Sequence, residues 1–212
     1  MSMDGTEKSG QKRNLVFLLY KKINSAILPR YHAFICTVFY KPLFKKMGKN
    51  SVIVKPLKFT YPENITIGKN IYIAHLSWLL TLQVSSKVPE LIIDDGAKIG
   101  HFNHITCVNR IYIGKNVLTA DKVYISDNLH GYEDVEKPIC DQPVFSKGEV
   151  SIGDETWIGE NVSIISVCIG KHCVIGSNSV VTRDIPDFSV AAGVPARIIK
   201  QYNKDTGKWE RV

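Results

Sequence analysis

Seven Ile-Gly pairs recur along the middle of this chain: Ile67-Gly68, Ile99-Gly100, Ile113-Gly114, Ile152-Gly153, Ile158-Gly159, Ile169-Gly170 and Ile175-Gly176. Their spacing constrains the fold more than any other feature of the 212 residues. Ile67 and Ile73 lie six apart, as do Ile93, Ile99 and Ile105. Ile113, Thr119 and Ile125 repeat the step, then Ile152, Ile158 and Ile164, then Ile169, Ile175 and Val181. A fixed six-residue period with an aliphatic lead predicts a parallel β-solenoid. Each unit is one short strand and one turn. The lead residue points inward and stacks on its equivalent in the next coil. The Gly, Asn or Asp that follows suits the backbone of a tight corner. Three units make a coil of about eighteen residues, hydrogen-bonded only to its neighbours. A helical reading fails, because glycine at this density costs about 1 kcal/mol at each position.

Two irregularities stand out. Between Ile125 and Ile152 the repeat stops, and Ser126–Val150 is rich in polar and turn residues. A long loop leaving a solenoid is a place to look for function. Ile164 and Ile169 are five apart, so that corner lacks one residue.

The first quarter has a different texture. Apolar clusters alternate with lysines over residues 12–47, which predicts short helices broken at Pro29 and Pro42. Residues 1–50 hold ten Lys/Arg against Asp4 and Glu7, whereas residues 51–212 hold 17 basic and 18 acidic side chains. The high isoelectric point therefore describes one segment, and nucleic acid is not an expected partner. Two readings of that segment stay open. It is a cap with solvated lysines, or it touches the inner face of the cytoplasmic membrane through residues 1–50. No apolar run approaches the roughly 18–20 residues that span a bilayer. Lys12 and Arg13 precede too short an apolar stretch for a signal peptide. Five cysteines without a C-x-x-C pair suggest reduced thiols and a cytoplasmic protein, and no metal is expected. The expected organisation is a basic, partly helical cap over 1–60 and a solenoid over 61–190 with its loop at 126–150. A short cationic helix after Ala196 and a mobile tail from Tyr202 complete it.

Residues 153–200 carry W-I-G, then I-G-S-N-S-V-V-T-R-D-I-P, then G-V-P-A-R. This run resembles the C-terminal half of the hexapeptide-repeat acyltransferases. It is most similar to the galactoside, maltose and xenobiotic acetyltransferase group and to bacterial polysaccharide O-acetyltransferases. The resemblance implies an all-β solenoid, a left-handed parallel β-helix, with an N-terminal helical segment and a short C-terminal helix. It implies a homotrimer that takes acetyl-CoA as donor and a sugar or glycan hydroxyl as acceptor. His130 matches the loop histidine that serves the family as general base, and imidazole suits that task at neutral pH. Asp127, Glu133, Asp134 or a backbone carbonyl could orient its second nitrogen. Trp157, Gly159, Ser177, Thr182, Arg197 and Lys200 match positions near the CoA arm and phosphates, with Glu160 standing where relatives often have a small residue. Asp127, Asn128, Tyr132 and His101 are acceptor-side candidates. Cys140, in the loop, reads as an ordinary thiol. An amino-sugar N-acetyltransferase, a non-catalytic β-helix scaffold and a zinc site built from His101, His104 and His130 are the competing readings.

Overall fold

The computed structural model describes residues 15–212. Lys8, Lys12 and Arg13 lie outside the described residues. Three parallel sheets wrap the core. The first holds β1 (Lys46–Met47), β4 (Ile65–Ile67), β7 (Glu90–Ile93), β10 (Arg110–Ile113), β15 (Val150–Ile152) and β18 (Cys168–Ile169). The second holds β2 (Val52–Ile53), β5 (Tyr72–Ile73), β8 (Lys98–Ile99), β11 (Leu118–Thr119), β16 (Trp157–Ile158), β19 (Val174–Ile175) and β21 (Ser189–Gly193). The third holds β3 (Lys58–Thr60), β6 (Trp78–Thr81), β9 (His104–Cys107), β12 (Tyr124–Ser126), β17 (Ser163–Ile165) and β20 (Val180–Val181). The chain visits the sheets in rotation, so each turn of the coil lays one strand on each side. The rotation and the six-residue period fit a left-handed β-helix.

The leads of the repeat form the core. Ile67, Ile93, Ile113, Ile152 and Ile169 pair in one column of the first sheet. Leu79, Ile105, Ile125, Ile164 and Val181 pair in the third. All are buried. Stacking like on like removes apolar surface from water at about 25 cal/mol per Å². It also explains why the period survives where the chain slips. Ile93 pairs with Ile113, so that coil takes twenty residues rather than eighteen, while Ile152 pairs with Ile169 only seventeen on. The short corner is closed by Ser166, whose φ is 51°.

The glycines after the leads have another purpose than the expected one. Gly68, Gly114, Gly153 and Gly159 do not take a left-handed backbone. That conformation falls two residues later, at Asn70, Asn116 and Asn161, or at Glu155. At Gly153 a Cβ would sit 2.5 Å from the backbone N of Lys171, and at Gly159 2.6 Å from that of Ser177. These glycines let successive coils approach. Asparagine, which tolerates positive φ, turns the corner.

Two boundaries differ from expectation. The coil begins before residue 60, because β1, β2 and β3 already make its first turn. Met47, Ile53 and Phe59 keep the six-residue step, but without an Ile-Gly pair to advertise it. The helical part runs over residues 15–43 and does not break at Pro29. A π-turn at Ile23–Ile27 precedes Leu28–Ile35 and absorbs the missing N–H of Pro29. A stripe at His32, Cys36, Tyr40 and Phe44 seats the helix on the first coil. The Cys36 thiol donates to the Ile53 carbonyl at 3.3 Å, and the Tyr40 and Phe44 rings meet Phe59 edge-on.

The expected C-terminal helix and mobile tail are instead two strands. β22 (Ala196–Asn203) turns back on β21, and β23 (Lys208–Arg211) pairs with β22, both antiparallel. Asn203 accepts the N–H groups of Asp205 and Thr206, and Gly207 turns with φ +67°. Trp209 packs on Tyr202, ring centroids 5.6 Å apart. The turn residues of N-K-D-T-G decide for a hairpin over a helix.

Candidate active site

The interruption at 126–150 is an ordered arm. β13 (Asn128–His130) and β14 (Val144–Ser146) pair antiparallel, with His130 opposite Val144. Across the arm, Gly131 N–H donates to the Pro143 carbonyl at 2.8 Å. The buried Gln142 amide closes the outer turn by donating to the carbonyls of Asp134 and Lys137 at 2.9 and 3.0 Å. His130 therefore stands at the end of a strand, exposed. Tyr132 is exposed beside it.

Asp127 and Asn128 hold the root of this arm rather than face an acceptor. Asp127 is fully buried, and its two oxygens accept the N–H groups of Val108 and Asn109, both at 2.8 Å. The side-chain amide of Asn128 donates to the Thr106 carbonyl at 3.1 Å. Burial, then the charge of Asp127, pushes the Cys107 thiol up. The other proposed orienting groups are engaged as well. Glu133 accepts the N–H of Tyr132, and Asp134 pairs with Lys137 at 2.9 Å. Cys140 is an exposed free thiol.

On the outer face of the second sheet, Trp157 and Lys200 line one open recess of about 410 Å³ with Glu155, His172, Cys173, Val174, Val190 and Trp209. Trp209 and His172 were not among the expected residues. Trp209 reaches the recess only because the tail is a strand. Gly159 and Ser177 are stacked in successive coils at the edge between the second and third sheets. Glu160, on that edge, is paired with Lys122 at 3.1 Å. Arg197 lies opposite Ala192, and its guanidinium donates to the Ala196 carbonyl at 3.0 Å. Thr182 is exposed beyond β20, on the edge from which the arm also leaves. The structure thus groups Trp157 with Lys200 and Gly159 with Ser177, and leaves Thr182 and His130 on another side.

His101 occupies the same edge as Gly159, two coils earlier. Its Nδ1 is 2.9 Å from Asp121, and its ring meets His75 at 4.2 Å. The N–H of His101, then its side chain, hold the Asp121 carboxyl below its ordinary value. His104 faces outward from the third sheet, stacked on Trp78 at 4.4 Å with rings 4° from parallel. Burial lowers its pKa. Among the described residues no three His, Cys, Asp or Glu side chains are grouped to hold a metal ion.

The bacterial transferase hexapeptide (six repeats) model matches residues 149–183. The chain is 37% identical over 128 residues to the putative lipopolysaccharide biosynthesis O-acetyl transferase WbbJ of Escherichia coli K12, covering 57% of this chain and 65% of that one. It is 34% identical over 164 residues to the galactoside O-acetyltransferase of the same organism, covering 77% and 66%. The chain spans just under two thirds of the length of these two relatives. The structure of AntD, an N-acyltransferase from Bacillus cereus in complex with dTDP and 3-hydroxybutyryl-CoA, matches with a TM-score of 0.66 at 21% identity, over 79% of this chain and 88% of that one. That likeness is one of fold. Repeat, parallel coil and sequence relatives agree: the chain carries the bacterial transferase hexapeptide repeat and is similar in sequence to hexapeptide-repeat O-acetyltransferases.

Proposed function

We propose that this protein is an acetyl-CoA-dependent O-acetyltransferase that modifies a sugar hydroxyl of a bacterial surface polysaccharide or its precursor. Its kinship with two O-acetyltransferases supports the reaction, and the lipopolysaccharide relative supports the acceptor class. The coil is left-handed, and the working unit is a homotrimer in the cytoplasm.

One observation carries the site. The arm bearing His130 leaves the edge between the third and first sheets, whereas the Trp157–Lys200 recess lies on the second sheet. In a three-sided coil, that edge and that face are opposite. A site built within one copy would leave the base far from the donor. A site between copies joins the His130 arm of one to the second sheet of its neighbour. There His130 takes the proton of the acceptor hydroxyl as its oxygen attacks the thioester carbonyl. The carbon–sulfur bond breaks, and the imidazolium returns the proton to the departing sulfur. Lys200 and Arg197 meet the phosphates of CoA, Trp157 packs on its pantetheine arm, Gly159 and Ser177 continue its groove, and Thr182 enters it from the copy that supplies His130. His101, held by Asp121, and Tyr132 face the acceptor.

The test is an acceptor screen with labelled acetyl-CoA against sugars, nucleotide sugars and lipid-linked oligosaccharides. Label in an alkali-labile ester is the expected product. Label in a stable amide would replace the hydroxyl acceptor by an amine. Release of free acetate alone, with every acceptor class, would overturn the reading.

A further inference from the structure

The helix that caps the first coil uses one stripe for that purpose, and among the described residues nothing covers the rest. His32, Cys36, Tyr40 and Phe44 face the coil. Leu15, Val16, Phe17, Leu18, Leu19 and Tyr20 are all exposed, from 54% to 68%. Six consecutive exposed apolar residues occupy every side of the helix, so this end projects from the body. Further along, Ile27, Tyr31, Phe34, Val38, Phe39 and Leu43 are also exposed, on the side away from the coil. A contiguous apolar surface of this kind marks a partner or a membrane.

Charge selects between the two. Residues 15–62 contain no Asp or Glu, but they contain nine Lys or Arg. Lys21, Lys22, Arg30 and Lys41 are exposed among the apolar residues, and the Lys21 ammonium lies 4.6 Å over the Phe17 ring. Packing this surface on its copy would bring lysines against lysines. An anionic bilayer satisfies both halves of the pattern, since apolar side chains enter the acyl boundary and lysines meet the headgroups. Among the described residues no helix is long and apolar enough to cross a membrane, so the contact is one that lies in the surface.

We infer that residues 15–43 form an interfacial helix that docks the protein on an anionic phospholipid surface. The inference does not depend on the acetyl acceptor, and its test reads no activity. Purified full-length protein is sedimented with vesicles of phosphatidylcholine alone or enriched in phosphatidylglycerol. Binding is expected to the anionic vesicles and to fall as salt is raised. Lys21→Glu with Lys22→Glu should weaken it by at least about thirtyfold. Phe17→Ser with Leu19→Ser should weaken it while molecular mass in solution stays unchanged. Absence of binding, or equal binding to both vesicle types, would overturn the inference. So would a drop in assembly mass in the Phe17→Ser, Leu19→Ser variant, which would make the surface a contact between copies.

Discussion

Asp127 reaches across one coil to accept the N–H group of Val108 at 2.8 Å, and its second oxygen takes that of Asn109 at the same distance. The residue that opens the arm is thereby fastened to the coil beneath. The carboxylate is fully buried. Asp127→Ala would leave two donors without an acceptor, the buried N–H of Val108 and the half-buried N–H of Asn109, at about 1–3 kcal/mol each. Urea unfolding should show a loss of about 2–5 kcal/mol, with Asp127→Asn intermediate because it keeps one acceptor oxygen. A loss below about 0.5 kcal/mol, the scale of an ordinary surface change, would mean that the clamp does not hold the arm.

His130 differs from Asp127 in being exposed at the tip of β13. Its substitution should leave the fold alone and remove the chemistry. His130→Ala is expected to lower acetyl transfer by at least about a hundredfold, the scale of general-base removal, with unfolding midpoint and mass unchanged. Near-normal turnover would transfer the role to another group. His101, already oriented by Asp121, would be the next to substitute.

The recess on the second sheet gives a different signature. Lys200→Ala and Arg197→Ala should raise the KM for acetyl-CoA about tenfold while the acceptor KM moves little, because a charge-assisted bond to phosphate is worth about 1.5–3 kcal/mol. Trp209→Ala should act in the same direction through the wall that it shares with Trp157. A change confined to the acceptor KM would show that the recess belongs to the sugar.

Much of this fold is legible in the sequence, because a β-helix repeats its physics there. The isoleucine leads had to face inward, and they do. The first coil is hidden in the sequence because Met47 and Phe59 fill the lead position without isoleucine. The tail differs from its expectation because R-I-I-K suits a helix locally, while the deciding residues, Asn203 and Gly207, lie beyond it. The roles of Asp127 and Asn128 depend on the N–H and carbonyl groups of a coil some twenty residues earlier, which no local pattern reveals. Trp209 joins the recess for the same reason: its position depends on a hairpin that returns along the second sheet.

The corner glycines make a prediction that conformation alone would not. Gly153 has no left-handed backbone to protect, so on angles alone alanine should be tolerated or even stabilising. Its Cβ would nevertheless lie 2.5 Å from the Lys171 backbone N. Gly153→Ala should therefore destabilise by about 1–3 kcal/mol or more, the cost of forcing packed backbone apart. Asn161→Ala, at a φ of 59°, should lose about 1–2 kcal/mol without any clash, from strain and from the loss of the bond that its side-chain amide donates to Asn178 at 3.0 Å. Chemical denaturation of the two variants separates the mechanisms, and a neutral Gly153→Ala would dismiss close approach as the reason for the Ile-Gly pairs.

His104 should give the fold a dependence on pH. Burial against Trp78 lowers its pKa from the ordinary value of 6.5, so the folded state prefers the neutral ring. A group depressed in this way stabilises the fold above its unfolded pKa. That contribution is lost as pH falls through the lower, folded value. His32 shifts in the same direction, by burial and then by the charge of Lys55, and adds to the effect. Thermal unfolding should thus show a midpoint that drops as pH falls from about 7 to about 5. His104→Phe keeps an aromatic ring on Trp78 and removes the titration, so its midpoint should fall less over the same interval. The difference between the two curves isolates His104 from His32 and from the carboxylates common to both proteins. Parallel curves would mean that the ring beside Trp78 is as easily protonated in the folded chain as in the unfolded one.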